Sequence, residues 1–111
     1  MFTKSDPHGY QQILPGIQIK TLAYGEKTLF SEFRLAKDSQ LPRHAHPQEQ
    51  TGYLISGRMR LTIGAQICEV QPGDCWCIPA GVEHQAEILA DCVAIEVFAP
   101  VREDYLKYLP A

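Results

Sequence analysis

The chain has 111 residues, enough for one hydrophobic core but not two, so we expect a single domain over residues 1–111. Ten lysines and arginines stand against 13 aspartates and glutamates, with the two signs mixed along the chain, which argues against a nucleic-acid partner. No stretch approaches the roughly 20 apolar residues of a membrane helix. The first residues also lack the apolar run of a signal peptide, so we expect a cytoplasmic protein with no membrane contact.

Short β-strands separated by turn residues account for most of the chain. Residues rich in β-branched and aromatic side chains predict a strand over 28–36, and Gly57 separates two further predicted strands. The strands predicted after the first cover residues 50–56, 58–63, 66–70, 75–78, 84–89 and 92–98. Only residues 100–109 have a helical pattern. Many short strands with close turns predict an all-β, antiparallel sandwich or barrel with a short helical segment at its C-terminal end.

Three histidines and one glutamine form a two-part pattern. His44 and His46 share a face of an extended chain, because side chains at i and i+2 point the same way. Gln50 lies on the same face if that strand continues, and His84 opens a later strand after a Pro-x-Gly turn. Neighbouring ligands on one strand and another from an opposing wall are typical of a metal pocket in a β-barrel. We therefore predict a metal site at these four residues, the alternative being a histidine cluster that binds nothing.

The four cysteines, Cys68, Cys75, Cys77 and Cys92, lie in strand-like segments and lack C-x-x-C spacing. We interpret them as reduced residues of the core rather than as disulfides or zinc ligands.

The last predicted strand, over 92–98, is apolar on both faces apart from Glu96. Because both faces must then be covered, and Phe30 and Phe33 add further apolar surface, we expect a homodimer. A buried acid must be paired, hydrated or functional. Two interpretations of Glu96 follow: a structural salt bridge with Arg102 or another arginine, or a general acid/base beside the metal.

With both motifs in order, H-x-H-x3-Q-x6-G from His44 and G-x5-P-x-G-x2-H ending at His84, residues 28–98 resemble the cupin superfamily. The resemblance implies a jelly-roll β-barrel and one divalent transition metal, such as nickel, zinc, manganese or iron, on His44, His46, Gln50 and His84. Asp38 and Ile88 replace the glycine and asparagine usual in these motifs, and neither position is a ligand in the family.

Gln50 stands where the family usually has a glutamate. Three neutral imidazoles and one amide leave the charge of a divalent ion uncompensated, so such an ion is a stronger Lewis acid and attracts anions. Glu49 is the alternative ligand, although on a regular strand it points outward. Tyr53 shares the outward parity of Glu49, and we expect a structural role for it.

Residues 97–105, together with His44 to Gln50, look like the bacterial pectin-degradation cupins. Those proteins convert ring-form 4,5-unsaturated uronates into linear keto acids. The resemblance implies an anionic sugar acid as substrate, Arg102 and Phe98 as substrate-binding residues, and a proton-transfer role for Glu96, where that family has an aspartate. Arg102 would hold the substrate carboxylate. Two other functions remain open: an iron-dependent oxygenase of another small acid, and a non-catalytic module that binds a sugar or an anion.

Overall fold

A computed structural model describes residues 1–109, so the last two residues of the predicted domain lie outside the described part. Eight β-strands and a C-terminal 3₁₀ helix (Glu103–Tyr108) make up the fold. The strands are β1 (Gln11–Leu14), β2 (Ile17–Tyr24), β3 (Leu29–Leu35), β4 (Gln40–His44), β5 (Glu49–Ile63), β6 (Gln66–Val70), β7 (Cys75–Ile78) and β8 (His84–Ala99).

All strand pairs are antiparallel, and the sheet has the order β1-β2-β3-β8-β5-β6, with β4 beside β8 and β7 beside β5. The prediction of an all-β antiparallel fold with a short helical tail is confirmed. Two strands organise the sheet: β5 pairs with β8 along most of its length, while β4 and β3 pair with the first and last parts of β8. Three strands, β3, β4 and β5, therefore lie beside β8.

The boundaries of several predicted elements were wrong. The sheet begins at Gln11 rather than near residue 28, because β1 and β2 precede the predicted barrel. β4 was also missed. The predicted strands over 84–89 and 92–98 form one continuous strand, β8, and the helical segment is a 3₁₀ helix that begins at Glu103.

Gly57 bends the chain without ending the strand. β5 runs through it, with register shifts against β8 on both sides. Its φ of +93° lies in the left-handed region, and a Cβ there would stand 2.2 Å from the backbone oxygen of Asp91. Because the irregularity is absorbed as bulges, two predicted strands become one.

The core lies between the inward faces of the strands. Phe33 belongs to this core, so it adds no surface for a partner, contrary to prediction. Of the cysteines, only Cys92 is buried; the prediction that all four are core residues was wrong, because Cys68, Cys75 and Cys77 are exposed on the peripheral strands β6 and β7. All four are free thiols. Among the described residues, no helix has the length and apolar character needed to span a membrane.

Candidate metal centre

The three histidines of the motifs meet at the start of β8. His44 ends β4 and lies directly opposite His84, the first residue of β8, with their ring centroids 4.2 Å apart. His46 follows in the loop before β5, not on a continuing strand as expected, and its ring lies 5.0 Å from that of His84. One nitrogen from each ring lies within 4.8 Å of the other two. These three histidines are a cluster that could hold a metal ion.

The backbone sets the protonation of each ring. Nδ1 of His44 lies 2.8 Å from the carbonyl oxygen of Pro42, and Nδ1 of His84 lies 3.0 Å from that of Val82. Nδ1 of His46 faces the carbonyl of Gln48 in the same way, at 3.0 Å. Because a carbonyl only accepts hydrogen bonds, Nδ1 carries the proton in each neutral ring, which leaves the Nε2 lone pair free for an ion.

The Nε2 atom of His84 is buried and has no hydrogen-bond partner among the described residues. Burial lowers the pKa of His84 to about 4, with the nearby His44, His46 and Arg102 acting in the same direction. Burial likewise lowers the pKa of His46. Neutral rings with unpaired, inward lone pairs are the form in which histidine binds a metal, so this donor set fits a divalent transition metal.

Gln50 joins the cluster from β5, although a bend at residues 47–48 separates it from His46. Its Oε1 lies 2.9 Å from Nε2 of His46. With Nδ1 of His46 protonated, both of these atoms present lone pairs, which repel unless a cation lies near both. The predicted fourth residue is therefore adjacent to the three histidines, and its oxygen points toward them.

Glu49 and Tyr53 lie on the other face of β5 and are exposed. Glu49 accepts a contact from the thiol of Cys77, at 3.6 Å, on the outside of the sheet. The geometry therefore keeps it away from the histidine cluster, as the strand parity predicts.

Glu96 lies on the inward face of β8, in contact with the cluster through Gln50. Its Oε1 accepts hydrogen bonds from Nε2 of Gln50 at 2.5 Å and from Nε1 of Trp76 at 3.0 Å. Only 8% of the residue is exposed, and this burial raises the pKa of its carboxyl group, an effect that the two hydrogen bonds and Arg102 partly oppose. The salt bridge with Arg102, one of the two interpretations above, does not form.

Arg102 instead pairs with Asp104, its Nε lying 3.1 Å from Oδ1. The guanidinium lies over the ring of Tyr105, 3.9 Å from the ring centroid, and its side chain is 14% exposed. The two terminal nitrogens have no hydrogen-bond partner among residues 1–109. They remain available to an anion, in the fork geometry that suits a carboxylate.

One cavity joins these groups. The centres of water molecules can occupy about 40 Å³ of it. Of the residues described above, His44, Gln50, His84, Glu96 and Arg102 line it, and His46 does not. Trp76, Gln85, Tyr105 and apolar residues of the core line the remainder. Phe98 also borders the cavity but is 1% exposed, and its ring packs edge-on against His46 at 5.6 Å and against Tyr105 at 5.1 Å.

The sequence analysis missed Trp76. Its position in the sequence could have indicated a role in the site, because the chain's single tryptophan lies three residues before Pro79, inside the second motif. Because tryptophan carries one N–H donor that needs a partner when buried, an inward tryptophan between motif residues indicates a polar contact.

Comparison with known proteins agrees with this architecture. The cupin domain family (Cupin_2) matches residues 31–98. KdgF from Halomonas sp. has a solved structure with a TM-score of 0.88 and 27% sequence identity, over 94% of this chain and 98% of that one. An RmlC-like cupin from Shewanella frigidimarina NCIMB 400 has the same TM-score at 23% identity, over 94% of each chain, and shows the fold alone.

An uncharacterized protein of Streptomyces coelicolor, SCO3923, is 36% identical over 64 residues. The match covers 57% of this chain and 58% of the relative, so the chain spans less than two thirds of that protein's length. The family match, in contrast, extends over more than half of the chain and includes every residue from His44 to Phe98. The chain belongs to the cupin family.

Proposed function

We propose that this cupin converts ring-form 4,5-unsaturated uronates into linear keto acids by ring opening and enol-to-ketone tautomerisation. The observation that carries the proposal is one cavity lined by His44 and His84 of the three-histidine cluster, by the buried carboxyl of Glu96 and by Arg102. The similarity to KdgF over almost the whole chain supports it, as does the resemblance of residues 97–105 to the pectin-degradation cupins.

His44, His46 and His84 would hold a divalent transition metal through Nε2, with Gln50 as the fourth ligand through Oε1. When bound, such an ion acts as a Lewis acid that polarises sugar oxygens. Since all four ligands are neutral, the centre keeps a net positive charge and favours an anionic substrate.

Arg102 would bind the substrate carboxylate through its two free terminal nitrogens. The carboxylate of an unsaturated uronate is attached to C5, next to the double bond, so this contact sets the position of the reacting carbons. Packing on Tyr105 and the ion pair with Asp104 hold the guanidinium in place. Phe98 would contribute one apolar wall of the cavity beside it.

Glu96 would carry the proton. As the bond between C1 and the ring oxygen breaks, its carboxylate accepts the proton of the anomeric hydroxyl, giving an aldehyde at C1 and an enolate at C5. The protonated carboxyl then delivers that proton to C4, the enolate becomes the C5 ketone, and Glu96 returns to its carboxylate form. A carboxyl whose pKa is raised by burial suits both steps near neutral pH.

The test is to follow the ultraviolet absorbance of the conjugated double bond of a 4,5-unsaturated uronate. Freshly purified protein, its chelator-treated form and the form reloaded with each of nickel, zinc, manganese and iron are compared. We expect turnover that is lost on chelation and recovered on reloading. The proposal is wrong if no form accelerates loss of the double bond above the rate in buffer.

We also propose that the outward face of β5 and β8 forms a homodimer. Tyr53 and Ile55 are exposed there, and Tyr53 lies directly opposite Ile95 of β8. Light scattering should give twice the 12.5 kDa of one chain. Ile55→Glu should dissociate the dimer, whereas Ile67→Glu, an exposed position on β6, should not. A monomeric wild type at micromolar concentration would contradict this.

A further inference from the structure

We propose that Trp76 is a positioning residue for Glu96: its indole N–H holds one carboxyl oxygen so that the other faces the substrate. This inference rests on the proposed function, because it concerns the group that would transfer the proton there. Trp76 contacts none of the three histidines through a hydrogen bond, and its Nε1 bonds to Glu96 alone among the described residues.

The strand register brings Trp76 to Glu96 across an intervening strand. Gly52 of β5 lies opposite Trp76 of β7 on one side and opposite Glu96 of β8 on the other. The indole crosses over Gly52 to reach the carboxyl. A Cβ on Gly52 would stand 2.2 Å from the indole ring, so only glycine leaves this path open. The lack of a side chain at Gly52 therefore leaves the space that the indole ring of Trp76 occupies.

Two donors from different strands converge on the same oxygen. Oε1 of Glu96 accepts from Trp76 at 3.0 Å and from Gln50 at 2.5 Å, whereas no hydrogen bond to Oε2 occurs among residues 1–109. A rigid aromatic ring with one donor defines a single direction for its bond, and fixing Oε1 restricts rotation of the carboxyl about its last torsion. Oε2 is therefore the oxygen left for proton transfer, at a defined position.

The alternative is that Trp76 has a purely structural role: it is a half-buried residue whose N–H donates a hydrogen bond to the nearest acceptor. Such a residue would stabilise the fold, but removing its N–H while keeping its shape would leave catalysis unchanged. The two interpretations therefore differ in a rate constant, whereas both require the hydrogen bond to Glu96, which is checked first.

The first test uses the indole proton of the metal-loaded protein, with no substrate present. Because the chain contains one tryptophan, a ¹⁵N-tryptophan-labelled sample gives a single indole cross-peak in a ¹H–¹⁵N correlation spectrum. Glu96→Leu, which removes the acceptor, should move that proton upfield and speed its exchange with solvent by about 10- to 100-fold, the strength of a hydrogen bond to a charged group. An unchanged position and exchange rate would overturn the proposal.

The second test uses kcat to distinguish the positioning of Glu96 by Trp76 from simple packing of the indole ring. Replacing Trp76 with benzothienylalanine exchanges the N–H for sulfur at nearly the same shape, and Trp76→Phe removes it with a smaller ring. Both should lower kcat on an unsaturated uronate about 10- to 100-fold, with KM and metal content near those of the wild type. Tyr24→Phe, at an exposed aromatic residue that ends β2, is the control and should retain the wild-type kcat.

The two tests distinguish failure of this inference from failure of the proposed function. A benzothienylalanine variant with wild-type kcat shows that Trp76 only packs, even where uronate turnover itself is established. A wild type without uronate turnover rejects the proposed function instead. The dependence of the indole resonance on Glu96 then decides alone whether Trp76 holds the carboxyl.

Discussion

The two ends of strand β8 face the same cavity, but they differ in whether the protein supplies hydrogen-bond partners for their buried polar atoms. At the first end, Nε2 of His84 is buried without a partner, and the lone pairs of three imidazoles converge. At the other end, twelve residues along, Glu96 is just as buried, yet two donors of the protein satisfy one of its oxygens. Gln50 contacts both ends, with its oxygen toward His46 and its nitrogen on Glu96.

This contrast separates what the protein builds by itself from what it leaves to a ligand. A buried polar atom without a partner costs free energy, and Nε2 of His84 has none among the described residues, so this end is open to a ligand such as an ion. The Glu96 end needs no ion, because the register of β7, β5 and β8 provides its partners. We infer that the first end binds an ion and that the second is a preorganised chemical group, so changes at each should have different consequences.

The largest expected effect is loss of the metal from the His84 end. His46→Ala removes one converging lone pair and should abolish stoichiometric metal. The circular dichroism of the β-sheet should remain, because the sheet has a packed core of its own and His46 lies in a loop. His8→Ala is the matched control, since His8 is exposed and far from the cluster in sequence. Elemental analysis of the purified variants measures the difference; tight, stoichiometric metal in His46→Ala would refute the ligand assignment.

At the Glu96 end, the metal should persist while turnover falls. Glu96→Gln keeps the shape of the side chain but cannot carry the proton, so kcat on an unsaturated uronate should drop by roughly 10²–10⁴-fold. Glu87→Gln, an exposed position on the same strand that pairs with Arg60, should behave as the wild type. Equal turnover of Glu96→Gln and wild type would make Glu96 a structural residue.

Arg102 should affect binding more than chemistry. Arg102→Ala removes the proposed carboxylate anchor, so KM should rise by about 10- to 100-fold with a smaller change in kcat, as expected for a charge-assisted contact. Arg102→Lys should recover only part of the loss, since an ammonium cannot form the bidentate pair. An unchanged KM in both variants would show that the carboxylate is held elsewhere.

The smallest effect concerns stability in the absence of metal. The unfolded chain protonates His84 near its ordinary pKa of 6.5, but the folded chain does so only near 4, because burial opposes the charge. At His84 the unfolded state therefore binds more protons between these values, and the contribution of this residue to the free energy of unfolding should fall as the pH decreases through this window, by at most about 3 kcal/mol. Urea unfolding of chelated protein at several pH values measures this.

His84→Asn should flatten the pH dependence, because the titrating ring is gone, whereas His8→Ala should leave it unchanged. A pH dependence of equal size in His84→Asn and wild type would assign it to other groups.

Sequence reasoning located the histidine cluster better than it located the strands. The i, i+2 spacing of His44 and His46 and the turn before His84 are local signals, and the structure brings all three rings together. β4 was missed because it is short and contains Pro42, which is tolerated in a peripheral strand but weakens the strand signal. β1, with two glutamines among its four residues, has an equally weak pattern.

The contacts of Glu96 could not be predicted, since they depend on register between strands distant in sequence. Trp76 reaches Glu96 only because β7 and β8 pair with β5 at the same residue, Gly52. Because both faces of the predicted strand are apolar, periodicity did not choose a direction for Glu96, and two interpretations of its role stayed open until these pairings were known. The exposure of three cysteines could not be predicted for a similar reason. The apolar composition of a strand does not reveal that it lies at the periphery of the sheet.

The most direct test of the account measures how deuterium is incorporated at C4 when an unsaturated uronate is converted in D₂O. If Glu96 delivers a proton from one wall of the cavity, the linear keto acid should carry deuterium at C4 in a single stereochemical configuration, as seen by ¹H NMR. Glu96→Gln should form this product roughly 10²–10⁴-fold more slowly than the wild type. An equal mixture of the two configurations with the wild type, or single-configuration product from Glu96→Gln at the wild-type rate, would contradict the account.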